Sequence, residues 1–290
     1  MEKIMQGALS ANAASLGLNW IYNLPYLERL EKKEDLLFQK ADPAKYKRAR
    51  KAVLAYPSAD IGDVSLQGEI LKWLYKALKD NPELSREEYK NLVYDNIQPG
   101  GPYRGWVESY GQKLIFNRTI EKMELDREPL PMNDDQLVGF IPWIATKALG
   151  LSNDKAWDLA QAFTDNEEYR HFYDVFDRMI DDFADHSVED ALRRSLEHVP
   201  KQYGFKLNVA LNGETPKDIL KVVSTGCAIG YALPLIYSIL KFTDGFEDAV
   251  RMNTRFGGAS SDRGTLIGAL YAFKEDVPES FIEKTKLDAE

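Results

Sequence analysis

The chain has 290 residues, with 37 Lys and Arg against 46 Asp and Glu, a formal net charge of −9 and a pI near 5.1. Its 44% apolar and 29% charged residues suit a globular chain with a large core, and the acidic balance argues against nucleic acid or an acidic membrane surface as partner. One cysteine, Cys227, leaves no internal disulfide framework or thiolate metal cluster, which fits a reducing cytoplasm.

The segment Ile4 to Tyr22 is apolar but is interrupted by Gln6, Ser10, Asn12 and Asn19. It reads as a buried helix and not as a signal peptide. No apolar run reaches the roughly 18 residues a membrane span needs. Residues 24–60 and 99–135 are expected to be long loops, the second punctuated by Pro99-Gly100-Gly101-Pro102 and by Pro129 and Pro131. Between them, Ile70, Leu71, Leu74, Tyr75 and Leu78 recur at helical spacing. Leu137 to Leu149 and Phe172 to Phe183 carry similar stripes. Cys227 to Leu240 is apolar nearly all round and predicts a central helix, with Pro234 kinking it or opening it. Leu266, Ile267, Leu270 and Tyr271 end the series. Alternating strand patterns are absent, so the expected fold is all-α, one domain over residues 1–290.

Few residues carry obvious chemistry. Histidine is scarce, at His171, His186 and His198, and the pair of His186 with Asp182, four apart, reads as a solvated helix-face contact. Cys227 sits in the most apolar segment and is expected to pack as a core thiol. Two segments stand out, each just ahead of a helix. The first, Ser58 to Ser65, holds Asp60 and Asp63, which are either helix caps or carboxylates aimed at a pocket. The second runs Gly257-Gly258-Ala259-Ser260-Ser261-Asp262-Arg263-Gly264. Its glycines permit close backbone approach, Ser260 or Ser261 can cap the helix, and free N–H groups with Arg263 could hold a phosphate. A tight turn with an Arg–Asp pair is the plainer reading.

In this order and at this distance, the two segments resemble those of the ADP-ribosylglycohydrolase family, over nearly the whole chain. A bacterial branch is similar in its first helix, Asp-Ala-Leu-Ala-Leu-Gly-x-His-Trp-Ile-Tyr-Asp, against Asn12 to Asn23 here. Its Tyr-Gly-Asp-Gln matches Ile61-Gly62-Asp63-Val64, and its Gly-Gly-Asp-Ser-Ala-Ala-Arg-Gly matches residues 257–264. The resemblance implies an all-α fold, an ADP-ribose pocket and two magnesium ions held by aspartates. Departures are concentrated at those aspartates. Val64 follows Asp63, Ala259 and Ser261 stand where the family has aspartates, and Asp262 lies one position later. Asn12, Asn19 and Asn23 replace Asp, His and Asp.

The resemblance therefore implies a retained pocket with a rebuilt metal centre. Asp63 and Asp262 are the expected catalytic residues, and with Asp60 the expected ligands of one magnesium ion at most, or of none. Asn19, Trp20, Tyr103, Gly257, Gly258, Ser260, Ser261 and Arg263 are the expected substrate contacts. The implied substrate is ADP-ribose in glycosidic linkage, free or on a modified partner, or a related nucleotide-sugar. A pseudoenzyme that binds such a ligand without turnover is the alternative, and a structural role like that of lens crystallins is a third.

Overall fold

Small residues decide where the first and last long helices go. In the structure, a computed structural model that describes residues 2–287, α1 spans Lys3–Leu16 and α14 spans Ser260–Lys274. Gly7, Ala11 and Ser15 recur at every fourth position on α1, as Ser260, Gly264, Gly268 and Ala272 do on α14. The two stripes meet antiparallel. A side chain at Gly7 would strike the Gly268 carbonyl, and one at Gly268 would strike the Gly7 carbonyl. A Cβ on Gly264 would come within 2.8 Å of the Ala11 carbonyl. At the far end the Ser260 hydroxyl donates to the Ser15 carbonyl at 3.4 Å. Backbones at this separation place both helices in the centre, and α14 is buried from Ser260 to Ala272.

The other helices wrap this pair, each burying one apolar stripe. α4 (Leu66–Asp80), α7 (Ile141–Ala148) and α13 (Phe246–Phe256) pack directly on α1. α5 (Arg86–Ile97), α8 (Asn153–Ala160) and α9 (Glu168–Asp182) form the next layer, where Phe140 lies 5.3 Å and Trp143 5.5 Å from the Phe176 ring. α10 (Val188–Ser195), α11 (Lys201–Asn212) and α12 (Ile229–Lys241) complete that side. Among the described residues the only β pairings are isolated bridges, and no helix is long and apolar enough to cross a membrane.

Several expectations change. Residues 24–60 are not all loop: Asn23 caps α2 (Leu24–Glu31) and Asp42 caps α3 (Pro43–Ala49), each with a proline in the first turn. The segment 99–135 likewise contains α6 (Ser109–Lys122), whose periodicity is weak because many of its residues face solvent. The first helix stops at Leu16, well before Tyr22. Cys227 precedes α12 and is half-buried, not core. Pro234 lies inside α12, and the Gly230 carbonyl it cannot serve takes a bond from Lys206 Nζ at 3.0 Å instead. Asp182 pairs with Arg194 at 3.0 Å and meets His186 only through its backbone.

The close approach of α1 and α14 makes a direct prediction. Gly268→Ala should destabilise the protein by about 1–3 kcal/mol, because the added methyl has a rigid carbonyl in its way. Gly204→Ala, in open space on α11, should instead stabilise by about 0.5–1 kcal/mol. Urea unfolding of both variants checks the contrast.

Candidate functional site

The two segments distant in sequence meet in space. Ser65, the residue before α4, donates its hydroxyl to Asp262 Oδ1 at 2.9 Å. Asp262 lies in the first turn of α14, so two helix beginnings converge on one carboxylate. Asn12 of α1 fastens the junction. Its Oδ1 accepts from the Ser65 N–H at 2.8 Å, and its Nδ2 donates to Ser65 Oγ and to Thr265 Oγ1, each at 2.8 Å.

Neither Asp60 nor Asp63 caps α4. The Leu66 N–H bonds to the Tyr56 hydroxyl at 3.1 Å. Asp63 Oδ2 accepts from the Asp60 N–H at 2.8 Å, while its Oδ1 pairs with Lys286 at 2.6 Å. Asp60 pairs with Lys40 at 2.7 Å. Asp262 is wholly buried and these two are not, so the structure brings Asp262 to Ser65 and leaves Asp60 and Asp63 on lysines.

The α14 end is built by residues 17–21. Asn19 Oδ1 caps it by accepting from the Ser261 N–H at 3.0 Å, a role expected of Ser260 or Ser261 themselves. Those hydroxyls go to the α1 carbonyls of Ser15 and Asn12. Gly257 and Gly258 have φ of 65° and 64°, the left-handed region. A side chain on Gly257 would strike the Ile21 carbonyl, and one on Gly258 the Thr225 carbonyl. Gly258 exchanges backbone bonds with Trp20 and Ile21 at 2.7 and 2.8 Å. Trp20 itself is held at φ 61°, a costly conformation for a bulky residue. Arg263 is buried. Its Nε donates to Asn253 Oδ1 at 2.7 Å and its Nη2 to the Gly257 carbonyl at 2.8 Å, so it staples the glycine turn from inside.

The residue that sequence reasoning missed is Glu108. It precedes α6, is 2% exposed, and accepts from the Tyr56 hydroxyl at 3.0 Å. The Tyr110 phenol lies against the same carboxylate. Nothing in the sequence marks Glu108, because it falls in a segment that reads as loop. Burial pushes the Glu108 carboxyl far above its usual range, and the nearby Asp262 charge pushes it further. Burial also raises Asp262, to about 7, with the Ser65 hydrogen bond and the Arg263 charge opposing. Two carboxylates thus share a dry interior and cannot both ionise freely near neutrality. Burial lowers Arg263 to about 9, which still leaves it cationic. Around this pair, Asp262 Oδ2, Glu108 Oε2, the Tyr110 hydroxyl, Asn19 Nδ2, Trp20 Nε1 and Arg263 Nη1 have no hydrogen-bond partner in the protein.

Beside the pair opens a cleft of about 590 Å³, lined by Tyr56, Val64, Trp73, Tyr103, Arg104 and Trp106 among others. Tyr103 folds its own loop, donating to the Trp106 carbonyl at 3.0 Å and meeting the Trp73 ring edge-on at 5.9 Å. Trp106 meets Trp20 edge-on at 6.3 Å.

The donor set does not fit the two-magnesium centre that the resemblance implies. A hard cation needs several converging oxygens. Among the described residues no three His, Cys, Asp or Glu side chains converge that way. The unpartnered atoms around the pair mix one oxygen of each carboxylate and a phenol with three N–H donors, and those donors suit a hydroxylated or anionic ligand.

No family model matches this chain, and no curated protein does. Among solved structures, one described as an ADP-ribosylglycohydrolase-related protein complex matches with a TM-score of 0.56. The match covers 98% of this chain and 93% of that one, at 13% identity. The likeness is one of fold. It places this chain in the all-α architecture of that protein, over essentially its full length.

The raised Asp262 carboxyl carries a stability signature. The folded protein holds this proton up to about pH 7, whereas an unfolded aspartate releases it near pH 4. Between those values the folded state binds more protons, so stability falls as pH rises through the window and levels off above it. Asp262→Asn should remove part of that fall, on the order of a few kcal/mol between pH 5 and 8. Unfolding free energies of both proteins at the two pH values measure it.

Proposed function

We propose that the protein is a glycosidic-bond hydrolase of the ADP-ribosylglycohydrolase type in which Glu108 and Asp262, and not a metal centre, carry the acid–base chemistry. The observation that carries the reading is the burial of these two carboxylates together at the meeting point of two helix starts. Glycoside hydrolysis needs one carboxyl group that keeps its proton and one that gives it up. Glu108, the more strongly raised, suits protonation of the leaving-group oxygen. Asp262, raised to about 7, suits activation of water. Asn19 Nδ2, Trp20 Nε1 and Arg263 Nη1 would receive sugar hydroxyl or phosphate oxygens. The rings of Trp73, Tyr103 and Trp106 give the cleft flat apolar faces for the base of a nucleotide-sugar. Asp63, held by Lys286, borders the cleft and supports no proton transfer in this reading.

The test uses ADP-ribosylated protein and a small ADP-ribose glycoside as substrates. ADP-ribose should be released with chelator present. Glu108→Gln and Asp262→Asn should each lower kcat by about 10²–10⁴-fold, and Asp63→Asn by far less. The rate should rise through pH 7 as Asp262 ionises and fall at higher pH as Glu108 does. Loss of activity with chelator and its return with magnesium would overturn the metal-free assignment.

A second reading, a binder without turnover, is favoured by one observation: Asp262 has no solvent exposure. Saturable binding of ADP-ribose by calorimetry with no product formed would support it against hydrolysis.

A further inference from the structure

Asp262 is 0% exposed and Glu108 2%, yet the cleft beside them is open. For a ligand in that cleft to touch either carboxylate, part of the wall must move. Three cleft-lining residues lead to the pair: Val64, whose neighbour Ser65 bonds Asp262, Tyr56, whose hydroxyl bonds Glu108, and Tyr103, whose phenol lies behind that of Tyr56. Val64 sits under Gly68 of α4, where a Cβ would lie 2.5 Å from its own, and is pinned there. Tyr56 belongs to a different kind of structure. It lies between α3 and α4 in a stretch without regular helix. From 54 to 61 the backbone hydrogen bonds run to near neighbours in the chain, as in Ala55 N–H to Val53 and Ala59 N–H to Tyr56 itself. Such a segment opens more readily than a packed helix. The ring packs in a small cluster with Leu16 and Ala55, and its hydroxyl donates to Glu108 at 3.0 Å and accepts from the Leu66 N–H at 3.1 Å.

We infer that Tyr56 is the latch of a door between the cleft and the buried carboxylates, and that a ligand reaches Glu108 and Asp262 by displacing its ring. Tyr56 is therefore a positioning residue. Latched, it orients Glu108 and keeps water away from the pair; unlatched, it joins the two spaces. This deepens the hydrolase reading and takes from it the importance of the pair, but its test requires no turnover. The competing route runs past the edge-on rings of Trp20 and Trp106, the latter 41% exposed.

The test labels carboxyl groups in the full-length protein with a water-soluble carbodiimide and glycinamide, and reads each site by peptide mass spectrometry. In the wild type, Glu108 and Asp262 should label slowly. In Tyr56→Phe they should label about tenfold faster, the size expected when an ordinary hydrogen bond holding a closed state is lost. Tyr56→Ala should exceed that, and Trp106→Ala should leave the rate near wild type. Asp134, a third buried carboxylate, held by the Gln136 N–H and the Ser109 hydroxyl, should keep its wild-type rate throughout, which separates local opening from unfolding. If Tyr56→Ala does not fold, amide exchange in Tyr56→Phe decides: Leu66 should exchange about tenfold faster while the rest of α4 is unchanged. Wild-type labelling of the pair in both Tyr56 variants would overturn the inference. So would faster labelling in Trp106→Ala alone. Faster labelling in a protein that hydrolyses nothing would leave the door standing and remove only the hydrolase reading.

Discussion

The contact between α1 and α14 is the constraint from which the rest follows. Glycine on both sides lets two backbones approach until carbonyls occupy the space of missing side chains. At that separation, polar groups on one helix reach the first turn of the other. Asn12 then spans three elements, bonding Ser65 ahead of α4 and Thr265 in α14 while riding on α1. Asn19, just beyond the end of α1, does the same for the Ser261 N–H. Had bulky residues separated the helices, these amides would fall short, and two buried helix starts would be left with unsatisfied donors.

Amides in these places have an electrostatic meaning. An asparagine can cap a helix start and donate to a hydroxyl in the same site, which an ionised aspartate cannot do. The junction therefore holds its negative charge at few points, chiefly Asp262 and the nearby Glu108. Both are pushed toward their protonated forms by burial. The Ser65 hydroxyl and Arg263 oppose that push at Asp262 and leave it the more acidic of the two.

Much of the fold was legible in the sequence. The stripes Ile70 to Leu78 and Phe172 to Phe183 bury as their spacing implies, because one wide apolar face is enough to fix a helix against a core. α6 was hidden since its exposed residues dilute the period, and α2 and α3 since each is only two turns long. The meeting of residues near 63 with those near 262 was anticipated through family resemblance, but its chemistry was not. Asp63 looked like the retained carboxylate, yet two residues later the chain turns inward and it is Ser65 that reaches Asp262. Glu108 and Tyr56 carry no local motif. Their importance comes from tertiary placement, which no spacing rule encodes. The small-residue stripe of Gly7, Ala11, Ser15 and Ser260, Gly264, Gly268 was present in the sequence as an interval of four, the signal that could have paired these helices.

The turn at Gly257 and Gly258 is held from three sides, by Ile21, by Thr225 and by Arg263 from within. Each neighbour is a main-chain atom or a buried guanidinium, so none can yield to accommodate a new side chain. Drift at this turn is closed to the lineage. The loop at Arg104 to Trp106 is under lighter restraint, since all three of its residues are exposed. Descendants of this protein that acquire a new ligand preference would do so through that loop, with the glycine turn carried along as a fixed inheritance.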